Sequence, residues 1–91
     1  MLAPLTTHAR VRMQQRGIPA AALHALLDYG REAHDHRGCR IVLFDKRSRK
    51  RAARELGEAF RRIERHLDAY AVLAADDAVV TVGHRHRRKA R

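Results

Sequence analysis

The sequence is poor in cysteine, tryptophan, proline and acidic residues. A single cysteine, Cys39, excludes an intrachain disulfide and a zinc site of four thiolates. A reducing cytoplasm is therefore the expected compartment. Aromatic residues make up 4% and Trp is absent, so a platform that stacks several bases is not expected. The longest apolar run, Ala69 to Ala75, falls far short of the roughly 20 residues that cross a bilayer. Met1 to Leu5 lacks the charged region and long apolar stretch of a secretory signal, so no membrane contact is expected. There is no glycine-rich phosphate loop, no Ser-His-Asp arrangement and no paired-carboxylate motif, and no cofactor or metal is expected.

What is present is positive charge. Twenty Lys and Arg stand against ten Asp and Glu, a net +10 with the seven His neutral. Seventeen of the twenty are Arg, whose planar fork of donors matches phosphate. This bias points to an anionic partner, RNA or DNA. The 91 residues suffice for one domain with a modest core, and 45% hydrophobic content is too high for a disordered tail.

Local patterns predict the elements. Thr6 or Thr7 caps a helix over about His8 to Arg16, with Leu5, Ala9 and Met13 as its buried stripe and Gly17 as its stop. Pro19 opens a second helix, with Ile18, Ala22, Leu23, Leu26 and Leu27 on one face, and Gly30 ends it. The period then changes to two. Arg31 to His36 reads as a strand, Arg37-Gly38 as a turn, and Cys39 to Phe44 as a second strand, central because both faces are apolar. Asp45 or Ser48 caps a long helix to about Leu67, striped by Ala52, Leu56, Phe60, Ile63 and Leu67, with Gly57 only weakening it. Ala69 to Ala74, a turn at Asp76-Asp77, and Ala78 to His84 read as a hairpin. The expected class is α+β, with two N-terminal helices and one long amphipathic helix packed on a small antiparallel sheet, in the order ααββαββ. Residues 1–84 form the domain, and 85–91 form a fraying basic tail.

Three clusters could carry chemistry. His8, Arg12 and Arg16 recur every four residues along one helix face. An imidazole moves a proton near neutral pH, and guanidinium groups neutralise charge on a phosphorane; a solvated helix face explains the same spacing. His34-x-His36 and His84-x-His86 each place two imidazoles on one strand face, and four would converge on a divalent metal were the strands neighbours; otherwise they are polar strand ends. Lys46, Arg47, Arg49, Lys50, Arg51 and Arg54 crowd the start of the long helix, where positive charge opposes the helix dipole. Charge that is locally unfavourable suggests an external anion, with Asp45, Glu55 and Glu58 as an internal alternative. Arg85, Arg87, Arg88, Lys89 and Arg91 extend the footprint. Such contacts give affinity and salt dependence without sequence specificity.

Thr7-His8-Ala9, Arg12 and Arg16-Gly17-Ile18 together resemble the N-terminal motif of the domain of unknown function family 4258. Val79-Val80-Thr81-Val82, followed by basic residues, is similar to that family's C-terminal strand. The resemblance covers residues 7–18 and 79–85, under a quarter of the chain. The family is bacterial and is grouped with the ribonuclease folds that include barnase and the RelE-type toxins. The resemblance implies two N-terminal helices against an antiparallel sheet. It also implies metal-independent endoribonuclease activity on RNA, ribosome-bound or free, by a toxin held by an acidic antitoxin. It marks His8, Arg12, Arg16 and Thr81; on the ribonuclease reading His8 is the general acid or base, His84 its partner imidazole, and Arg12, Arg16 and Arg85 the phosphate clamp. The chain departs from the family where a long helix replaces short turns between strands, and where Gly83-His84 stands in place of an aromatic and a basic residue.

Two other readings compete. One is a non-catalytic nucleic-acid-binding module, since the helices joined by Gly17-Ile18-Pro19 superficially resemble a helix-turn-helix; Pro19 to Tyr29, however, offers few side chains for base edges. The other is a metal-binding or interaction protein built on the His pairs.

Overall fold

The computed structural model describes residues 5–34 and 38–85. Thr6 opens the first helix, its hydroxyl accepting a hydrogen bond from the Ala9 amide at 3.1 Å. This helix, α1, spans Thr7–Arg16 and closes on Gly17, whose φ of 65° lies where glycine is favoured. Pro19 caps α2, Ala20–Tyr29, in extended conformation. Gly30 ends α2 for want of space. Its φ of −64° is ordinary, but a Cβ there would lie 2.6 Å from the Leu26 carbonyl oxygen and 2.7 Å from Val42 Cγ1.

Four strands follow the order predicted by the change of period. They are β1 (Arg31–His34), β2 (Arg40–Leu43), β3 (Ala69–Leu73) and β4 (Val79–His84). All pair antiparallel in the order β1-β2-β3-β4, which makes β2 central. The class is α+β with helices and strands in the sequence ααββαββ. The second strand of the first hairpin is shorter than expected, with Cys39 and Phe44 flanking β2; β1 is described as far as His34, and the strand end at Asp35-His36 and Arg37 of the turn lie outside the described residues. A bulge at Val80 shifts the β3–β4 register, so that Val79 returns to the helix side, opposite Leu73.

The long helix expected from Asp45 to Leu67 is not continuous. Asp45 does cap it, accepting from the Ser48 amide at 2.8 Å, while the Ser48 hydroxyl accepts from the Asp45 amide at 2.8 Å. The helix α3 then runs only Lys46–Leu56. At Gly57, φ 57° and ψ −124° leave the helical region altogether, and 3₁₀ turns over Gly57–Arg62 and Glu64–His66 carry the chain to β3. Gly57 adopts a conformation a Cβ would oppose, so it breaks the helix outright. The apolar stripe survives the break. Ala52 and Ile63 are buried, and Leu56, Phe60 and Leu67 pack against the core. α3 also packs against α2.

Helices cover one face only. α1 lies on β4, and α2 lies on β3 and β2. The buried side chains of the sheet, Val42, Ala69, Ala71, Leu73, Val79 and Val82, all project to that side. Thr6 ties the start of α1 to the β4 edge, its amide donating to the Val79 carbonyl at 3.1 Å and its hydroxyl to the Val80 carbonyl at 3.3 Å.

The close approach at Gly30 generates a stability prediction. Gly30→Ala forces a methyl group against backbone and a buried valine, and should cost about 1–3 kcal/mol. A chemical denaturation midpoint that drops with an unchanged slope is the expected result. An unchanged midpoint would mean that α2 and β2 are not held this closely.

Candidate nucleic-acid interface

The basic segment at the start of α3 divides by helical geometry. Arg47, Lys50, Arg51 and Arg54, at spacings of three and four, fall on one face and line a common shallow hollow with no acidic side chain in its wall. The opposite side of α3 carries buried Ser48 and Ala52. Arg51 also sits 5.8 Å above the Tyr29 ring, a cation–π contact that orients its guanidinium. A second hollow adjoins the first and is shared by Tyr29, Arg31, Asp45, Arg47 and Arg51. Its carboxylate is accounted for: Arg31 Nε lies 3.0 Å from Asp45 Oδ2. The Ser48 amide, then the Ser48 hydroxyl, hold the Asp45 carboxyl below its ordinary range, with Arg31 adding to the effect.

The remaining basic residues are placed differently. Lys46 is exposed in the first turn. Arg49 is half-buried and faces a hollow of mixed charge with Glu64, Arg65 and Asp68, its Nε buried without a hydrogen-bond partner among the described residues. Arg85 does not belong to a fraying tail. Its amide donates to the Asp68 carbonyl at 2.6 Å, and its guanidinium donates to the Phe44 carbonyl at 3.2 Å. Arg87, Arg88 and His86 lie outside the described residues.

The residues marked by the family resemblance do not converge. His8 is exposed, with Arg12 Nε donating to its Nε2 at 3.4 Å. Arg16 is exposed at the other end of α1. His84 lies there too, its Nε2 3.1 Å from the Arg16 carbonyl oxygen and its Nδ1 2.9 Å from Asp68 Oδ1. Eight residues of helix at about 1.5 Å each put roughly 12 Å between His8 and His84 along α1. A base and an acid serving one phosphodiester must each reach it within hydrogen-bond distance, so these two imidazoles do not flank one phosphate. Both partners of His84 are acceptors, so both contacts are hydrogen bonds only when each ring nitrogen carries a proton. Thr81 pairs with Val72 and projects to the sheet face away from α1.

Nor do His34 and His84 meet, while His36 and His86 lie outside the described residues. β1 and β4 are the two outer strands, roughly 14 Å apart, and the register sets His34 in the row of Leu73 but His84 opposite Ala69, about 13 Å further along the sheet. Among the described residues no group of three His, Cys, Asp or Glu could hold a metal. Of α2, Ala22, Leu23, Ala25 and Leu26 form part of the core, and its exposed residues are Ala20, Ala21 and Asp28, none of them basic.

His66 and Asp68 form a cluster that the sequence reading missed. The rings of His66 and His84 stack at 6.0 Å with 28° between their planes. A signal for part of it was present. A hairpin turning at Asp76-Asp77 sets Ala69 opposite His84, which brings Asp68 beside that imidazole. The continuous helix expected as far as Leu67 includes His66, and the break at Gly57 puts it in a 3₁₀ turn instead.

No family model, curated protein or solved structure matches the chain. Among the described residues no helix is long and apolar enough to cross a membrane.

The His66 cluster predicts a pH dependence. Burial pushes the His66 imidazole below its ordinary value of 6.5, the positive charges of His84 and Arg65 push the same way, and Asp68 opposes them. The unfolded chain therefore binds this proton more readily than the folded chain. The stabilising contribution is fully present above the ordinary value and is lost as pH falls through the lowered one. Calorimetry should show the unfolding temperature falling on acidification through this range, and His66→Gln should flatten that slope. An equal slope in the variant would remove His66 as its source.

Proposed function

We propose that the chain binds the phosphate backbone of nucleic acid through the outer face of α3, with RNA as the form the family resemblance implies. The observation that carries this reading is the row Arg47, Lys50, Arg51 and Arg54, four cations on one exposed face with no carboxylate among them. Positive charge in the first turns of a helix opposes its dipole, so local stability does not account for the cluster. A polyanion laid along this face relieves the mutual repulsion and releases its own counterions. The helix itself is held from the other side, by the Asp45–Ser48 capping box and the buried Ala52.

The test replaces all four cations with Gln. Four phosphate contacts to a single strand contribute about −3 to the slope of log affinity on log salt concentration. The variant should lose most of that slope and bind RNA far more weakly at low salt. It should unfold no earlier than the wild type, because like charges have been removed from a helix N-terminus. Equal affinity and an equal slope in the variant would sink the reading.

Metal-independent RNA cleavage is a second reading, supported by the His8–Arg12 pair alone. His8 is exposed, and its Nε2 accepts from the Arg12 guanidinium at 3.4 Å. A neutral imidazole is suited to take the proton of a 2′-hydroxyl. Cleavage on this reading survives a chelator, spares DNA, and falls at least ~10²-fold in His8→Ala with RNA affinity retained. Absence of cleavage by the wild type, on free or ribosome-bound RNA, leaves binding as the function.

A further inference from the structure

The sheet face away from the helices is apolar, and among the described residues no helix covers it. Strand alternation and the cross-strand register place Ala33, Ile41, Leu43, Tyr70, Val72 and Thr81 on it. All six are half-buried, and none belongs to the core or to the shell of side chains packed around it. Within this face Tyr70 is set in a particular way. Its cross-strand neighbour is Gly83, and a Cβ on Gly83 would lie 3.0 Å from Tyr70 Cε1 and Oη. The ring therefore lies down over the Gly83 backbone, and Gly83 is buried as a result. An aromatic ring supported flat on a sheet presents its other side as a stacking surface.

The same cross-strand row leads back to α3. Arg31 pairs with Leu43, Leu43 with Tyr70, and Tyr70 with Gly83. The Tyr70 ring, laid over Gly83, stands between two and three strand spacings from Arg31, about 10–14 Å, a gap that the Arg31 side chain and one nucleotide span together. Arg31 also lines the hollow that contains Arg47 and Arg51, so the cationic face of α3 and the open sheet face are continuous through it. None of the six face residues is acidic, and Asp45, at the edge, is paired with Arg31. A second copy of a chain carrying +10 meets its own charge at this face, whereas a polyanion does not.

We propose that a single-stranded nucleic acid runs from α3 over Arg31 onto the open sheet face and stacks one base on Tyr70. The proposal rests on the phosphate reading of α3 and adds to it a preference for unpaired strands, since a base held in a duplex cannot lie on the ring. One platform for one base agrees with the scarcity of aromatic residues.

Tyrosine fluorescence provides a direct test, because the chain has two Tyr and no Trp. In the Tyr29→Phe chain, Tyr70 is the sole reporter. A short single-stranded oligoribonucleotide of mixed sequence should quench it, and heparin, a polyanion without bases, should not. Tyr70→Leu, which keeps apolar bulk over Gly83, should weaken oligoribonucleotide binding about tenfold and leave heparin binding unchanged. Circular dichroism on each variant verifies the fold, and the quenching experiment needs no change at Tyr70. Absence of quenching, or full oligoribonucleotide affinity in Tyr70→Leu, overturns the stacking proposal and leaves the α3 reading standing. Full heparin affinity in the fourfold Gln variant of α3 overturns the phosphate reading instead. A concentration-dependent dimer abolished by Val72→Lys, with oligoribonucleotide affinity untouched, assigns the face to a second copy and also overturns the proposal.

Discussion

Small side chains at the contact between helices and sheet set the architecture. Ala9 on α1 and Ala69 and Ala71 on β3 are almost fully buried, as are Val79 and Val82 on β4. Residues of this size bring helix and sheet close together, and Gly30 extends the same tightness to the end of α2 against Val42. A chain of 91 residues has too little volume for a second helical layer. The helices therefore cover a single face, and every exposed feature is a consequence of that one-sided packing. The bulge at Val80 belongs to this constraint, since it is what returns Val79 to the buried side after Thr81 and Val82 have taken opposite faces.

Legibility in the sequence followed the locality of the signal. Thr6, Gly17, Pro19 and Asp45 act within a few residues of themselves, and each marks the element end that its chemistry implies. The alternation in 40–43 and in the final hairpin likewise carried enough information for a central strand and an antiparallel pair. Gly57 was harder. In a propensity account, glycine in a helix is a loss of about 1 kcal/mol, which the stripe from Ala52 to Leu67 outweighs. The structure instead uses its access to φ 57°, ψ −124° to break the helix while the stripe stays packed. Periodicity reports which residues are buried, and here it did so correctly without reporting that the backbone turns between them.

The candidate site was legible as composition and much less as geometry. Basic residues at 46–54 could be seen to crowd a helix start. Which of them act together depends on how α3 is rotated against α2, and that rotation turns Arg49 towards Glu64 and Asp68 while Arg47, Lys50, Arg51 and Arg54 share the outer face. The cluster is held in place by an arrangement that keeps acid out of it. Asp45 is the carboxylate nearest the N-terminus of α3, and it is engaged by Ser48 within the cap and by Arg31 outside it. The cap offsets the dipole at the helix start, and among the described residues no ion pair engages Arg47, Lys50, Arg51 or Arg54.

Strand parity decides how far the family resemblance can be taken. Thr81 and His84 are three residues apart on a regular stretch of β4, so they must face opposite sides of the sheet. His84 is thereby committed to the helix side, where Asp68 and the Arg16 carbonyl occupy both of its nitrogens. His8 is separated from it by the length of α1. A catalytic centre assembled from all these residues would have to pass through the sheet, and one-sided packing forbids that. Cationic surface meets the open sheet face at Arg31, which shares a hollow with α3 and a cross-strand row with Tyr70. The fold thus separates the imidazoles and sets the cationic row of α3 beside the sheet face that carries an aromatic ring.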